Sequence, residues 1–134
     1  MSYAASAALQ EAVYACLTAD PAVATLTGGH VYDALPAGPL PRLYVTLGAE
    51  SVRDASDATG TGAWHDLSLS VVTEIAGFRA AKDVAGAVSD ALIGRDLALA
   101  RGRLVALQFR KARARRDGAL RRIDLTFRAR VDAA

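Results

Sequence analysis

The stretch LVALQFRKARARRDGALRRIDLTFRARV, residues 104–131, decides how the chain is read. Strand-forming residues flank an Asp117-Gly118 dipeptide, and Asp-Gly suits a tight hairpin turn because both residues tolerate positive φ. A long two-stranded β-ribbon is expected. Centring the turn on that dipeptide places Lys111 opposite Asp124, which is favourable, and Arg113 opposite Arg122, which is not. One face then carries Leu104, Ala106, Ala112 and Ala114 against Val131, Ala129, Ile123 and Arg121, with Leu125 and Phe127 between. This is the expected core face. The other sets Arg128 and Arg130 against Leu107 and Val105, with Phe109 beside them. A solvated face would not carry three large apolar residues, and a buried one could not hold so many arginines. The mixture predicts an interface built from Val105, Leu107, Phe109, Lys111, Arg113, Arg115, Arg122, Arg128 and Arg130.

Working outward, 134 residues suffice for one domain with its own core, residues 1–134. Hydrophobic content of 52% against 22% charged residues excludes wholesale disorder. A single cysteine, Cys16, excludes an intramolecular disulfide. The N-terminus lacks a signal-peptide pattern and no run approaches a membrane span, so we expect a protein made in the cytoplasm with no membrane partner. The net charge of +2 hides a division. Residues 1–100 hold 5 Lys/Arg and 11 Asp/Glu, whereas residues 101–134 hold 11 and 3. Such polarity points to nucleic acid, or to an oligomer in which one end of a subunit meets the other end of its neighbour.

Ahead of the ribbon, Leu9, Val13 and Leu17 recur at helical spacing with Cys16 beside them, and Ser2 is placed to cap. Asp20-Pro21 ends this helix and can start a short second one before Gly28-Gly29. Val31-Tyr32 and Leu43 to Leu47 are strand candidates, separated by Pro36, Pro39 and Pro41, with Gly48 marking a bulge or a bend. Ser56, Asp57, Thr59, Gly60, Thr61 and Gly62 belong to a polar loop expected to order on assembly. From Trp64 to Ile75, Leu67, Leu69, Val71, Thr73 and Ile75 alternate with Asp66, Ser68, Ser70 and Glu74, so one strand face is buried. A helix carrying Ala81, Val84, Ala85, Val88 and Leu92 follows, with Gly94 as its C-terminal cap.

Chemistry is sparse. His30, His65 and Cys16 read as structural or exposed, and Gly60-Thr61-Gly62 lacks the Lys-Ser/Thr of a phosphate loop. Asp66 and Glu74 lie roughly 26 Å apart along an extended strand, too far to act as a pair. No catalytic residue, cofactor or metal is expected. Nine basic residues between Arg110 and Arg130 can neutralise phosphates. Only Phe109 offers a ring there for stacking on bases, which favours a protein partner.

The segment VYDALPAGPLPRLYVTLGAE, residues 31–50, resembles the tail terminator, or tail completion, proteins of long non-contractile phage tails. The resemblance runs through Leu17, Asp20-Pro21, Val31-Tyr32-Asp33, Pro36 and Pro41 to Gly48. It continues through the threonine/glycine loop, the alternating strand, the Gly77–Leu92 helix and the basic strand pair. Where many members carry Trp-Ser, this chain has Val72-Thr73. The terminators of gene transfer agents fit the composition equally. The resemblance implies an α+β fold, an antiparallel or mixed sheet of four to five strands with two helices on one face. It also implies a hexameric ring in a virion or phage-like particle that caps the tail tube and stops its polymerisation. The expected partners are its own copies, the tail-tube protein and a head-side connector or stopper, with DNA passing the lumen without specific binding. A neck protein and a small basic nucleic-acid-binding module are the alternatives.

Overall fold

The computed structural model describes residues 3–56 and 60–133. Helix α1 (Ser6–Ala19) buries Leu9, Val13, Cys16 and Leu17, the stripe its spacing predicts. It begins at Ala5 without a side-chain cap, and Ser2 lies outside the described residues. Asp20 ends it and starts α2 (Pro21–Thr27), its carboxylate accepting from the Val23 N–H at 3.0 Å. The same carboxylate binds Arg95 at 2.6 Å, which ties the helix junction to the segment after the third helix. Gly28, at φ 66°, closes α2 in the left-handed region that glycine enters freely.

Two-residue β1 (Val31–Tyr32) runs parallel to β2 (Leu43–Asp54), which continues well past the expected Leu47. Its register slips between Leu47 and Glu50, so Gly48 and Ala49 oppose Ser68 alone. A Cβ on Gly48 would sit 3.3 Å from the Ser68 carbonyl, so this bulge favours glycine. β3 (Gly62–Thr73) alternates as expected as far as Leu69, is buried on both faces from Leu69 to Thr73, and stops two residues early. The Thr73 hydroxyl donates to the Arg42 carbonyl at 2.7 Å and accepts from the Ile75 N–H at 3.0 Å, turning the chain. Helix α3 (Arg79–Ile93) buries all five residues of its predicted stripe. Gly94 caps it, as the sequence predicts, at φ −82°.

β4 (Arg103–Asp117) and β5 (Leu120–Asp132) form the ribbon, and the sheet runs β1-β2-β3-β5-β4. It is five-stranded and mixed, parallel only at β1. The three helices share a core with one sheet face through Leu9, Leu17, Val84, Val88, Leu69, Ile123, Leu125 and Phe127. Each such side chain taken from water contributes about 1.5–3 kcal/mol.

Candidate assembly surface

The ribbon's register differs from the sequence expectation, and the difference rearranges its faces. Asp117 pairs with Leu120, so the loop is Gly118-Ala119, not Asp117-Gly118. Only Gly118 has positive φ, 62°, which is the type II′ pattern. Near the turn, Lys111 therefore opposes Thr126, Arg113 opposes Asp124 and Arg115 opposes Arg122. The anticipated Arg113–Arg122 opposition does not occur. Farther along, bulges insert Arg110 and then Val105 into β4, and each slips the pairing by one residue. Arg128 then opposes Gln108 and Arg130 opposes Ala106. Leu107 turns to the helix side, against the core, and Phe109 stands edge-on to buried Phe127 with ring centres 5.8 Å apart. Leu107 and Phe109 thus share a face with the core and not with the arginines. Leu104, Ala112 and Ala114 keep the core-side phase the sequence predicts, whereas Ala106 does not.

The sheet face away from the helices is polar and internally paired. Asp124 lies between the opposed Arg115 and Arg122, at 3.2 and 3.4 Å, and accepts from the Ser70 hydroxyl at 2.7 Å. Burial pushes the Asp124 carboxyl up, but Ser70, Arg115 and Arg122 outweigh it and hold it below the usual carboxylate range. Arg122 is anchored further by its Nη2 donating to Ser70 at 3.1 Å, while its Nε is buried without a partner among the described residues. Nearer the other end, Trp64 is ringed by the guanidinium groups of Arg53, Arg128 and Arg130 at 5.9, 5.8 and 5.4 Å from its ring centre. Asp66 and Asp132 pair Arg128 and Arg130 at 2.9 and 3.1 Å. Sequence reasoning missed this stack because it depends on β3 pairing with β5, which sets Trp64 opposite Arg130. Trp64 sharing a strand parity with Asp66 and Ser68 was the available signal.

The loop residues divide. Ser56 donates to Asp54 at 2.7 Å and accepts from the Gly62 N–H at 3.3 Å. Thr61 accepts from Ala133, Gly62 opens β3, and Gly60 forms a single bridge. Asp57 and Thr59 lie outside the described residues. His65 is fully buried, its Nδ1 3.3 Å from Glu50, and Cys16 is buried with its thiol raised by that burial. His30 is exposed, against Tyr32.

After these pairings, Arg110, Lys111, Arg113 and Arg116 are exposed and form no ion pair among the described residues. They concentrate on β4, an edge strand. Bulges and dense charge are what keep such an edge from unspecific strand pairing.

The family described as tail completion protein gp17 matches residues 11–132. The chain belongs to that family. One chain of a structure described as the virion of a native gene transfer agent (GTA) particle is 59% identical, with a TM-score of 0.93. The match covers 98% of this chain and 100% of that one. No curated protein matches. The tail completion assignment makes this a structural tail protein, and the five-stranded mixed sheet with helices on one face is that particle chain's fold. No helix among the described residues is long and apolar enough to cross a membrane.

Proposed function

We propose that this tail completion protein is a terminator: a ring of copies, six by the family resemblance, seated on the last ring of the tail tube. There it stops tube growth and presents a surface to the head-side connector. The observation that carries the reading is the match to a gene transfer agent particle chain over nearly the whole length. The geometry supports it, because unpaired cations gather on one edge strand while the first hundred residues are net acidic. In this reading the β4 cations meet an acidic neighbour. Arg122 serves within the subunit, under Asp124 and Ser70, so the assembly contact falls to Arg113 and its β4 neighbours.

Particles from a host lacking this gene test the proposal by electron microscopy. Overlong or unjoined tails are expected, with normal length restored by the added chain. Tails of normal length joined to heads would refute it. The free cations also suit phosphates, so mobility shifts of duplex and single-stranded DNA across a salt series separate the two readings. Steep, salt-sensitive binding would favour nucleic acid.

A further inference from the structure

The four free cations of β4 need a counterpart, and the opposite edge of the domain supplies one. Beside α1, just after β1, lies a groove of 470 Å³ lined by Tyr3, Gln10, Glu11, Tyr14 and Asp33 among others. No Lys, Arg or His lines it. Glu11 forms no ion pair among the described residues, and Asp33 accepts only from the Gln10 amide. Tyr3 and Tyr14 leave 66% and 37% of their surfaces exposed, far more than the molecule's packed aromatics. Two carboxylates with two open tyrosine rings match a guanidinium, which pairs with the first and stacks on the second.

Resting on the ring reading, we propose that this groove receives the basic β4 edge of a second copy of the chain, around Arg110, Lys111, Arg113 and Arg116. Charge complementarity selects the occupant: the groove is acidic without a compensating cation, and β4 is the cationic segment left unpaired. Position agrees. Asp33 directly follows β1, and β1 and β4 are the two outer strands of one sheet. A contact from one edge to the other is heterologous. Each copy offers one groove and one edge, so the contact propagates from copy to copy and gives a ring when its rotation closes.

The test uses the full chain, with sedimentation velocity and mass photometry over a concentration series. The variants are Glu11→Arg/Asp33→Arg and Lys111→Glu/Arg113→Glu. All four positions are exposed, and circular dichroism verifies each fold. Each variant alone should associate roughly 10- to 100-fold more weakly than the wild type, because like charges then face each other. An equimolar mixture of the two should assemble again, since alternating copies restore opposite charges at every contact. Tyr14→Ala, which leaves charge untouched, should weaken association several-fold. Rings of Glu11→Arg/Asp33→Arg as stable as wild type would overturn the contact while leaving the ring reading intact. Folded variants that fail to rescue each other would overturn it equally, as would a groove variant that forms rings and only loses binding to tail tubes. A wild-type chain that stays monomeric at every concentration would overturn the ring reading and this contact with it.

Discussion

At the residue scale, Asp124 is the side chain on which the ribbon's polar face depends. Two arginines directly opposite each other on adjacent strands repel, and one carboxylate between them turns the repulsion into a paired cluster. Asp124→Asn keeps the shape and removes the charge. It should lower stability by about 1–2 kcal/mol, a range already reduced because these groups are about a third exposed. The pH dependence has a definite sign. The folded-state carboxyl lies below its ordinary value, so its contribution is present above the unfolded value and fades as pH falls through the folded one. Thermal melts of wild type and Asp124→Asn should therefore differ at pH 7 and converge in acid. A gap that persists at the lowest pH would mean Asp124 acts through hydrogen-bond geometry and not charge. The Gly62 position makes a second residue-scale case. A Cβ there would meet the Arg130 guanidinium at 2.6 Å and the Asp132 carboxylate at 2.7 Å. Both are ends of flexible side chains, so Gly62→Ala should cost only about 1 kcal/mol, read as a shift in Tm, while disturbing the Arg130–Trp64 stack.

At the scale of elements, what the sequence shows and what it hides divide by the range of the signal. The α1 and α3 stripes and the β3 alternation are legible because a helix or a strand imposes its own period on neighbouring residues. The phase of the ribbon is not legible. One wrongly placed turn leaves face parity intact, but each bulge reverses it, and bulges at Arg110 and Val105 are fixed by packing against β5. Leu107 is thereby carried to the core and Gln108 placed among the arginines. The groove beside α1 is hidden for a similar reason, since Asp33 meets Gln10 only once β1 has docked. The turn itself is testable. Gly118 alone has positive φ in the loop, so Gly118→Val should destabilise by about 1–2 kcal/mol. Asp117 is a paired strand residue, and Asp117→Ala should change Tm little. Denaturant unfolding of both separates the two: equal losses would argue for a turn centred on Asp117-Gly118.

For the whole molecule, fold and assembly draw on different forces, and salt separates them. The core that holds three helices on the sheet is apolar, so its stability should respond weakly to ionic strength. The paired face across the sheet is compensated within the subunit and adds little salt dependence at its exposure. The β4 cations and the acidic edge beside α1 are the charges this contact brings together, so association between copies should carry most of the electrostatic response. Screening shrinks the range of such forces from about 10 Å at 0.1 M salt to about 3 Å at 1 M. Across that range the midpoint of association should move to roughly tenfold higher protein concentration, while the unfolding midpoint of the isolated subunit shifts by only a few degrees. Lys111→Glu/Arg113→Glu should reverse the salt response, because salt then screens repulsion between like charges at the contact. Wild-type association that strengthens with salt would show instead that Val105, Phe109 and the other exposed apolar side chains drive contact between copies, with the charges serving only to choose its register.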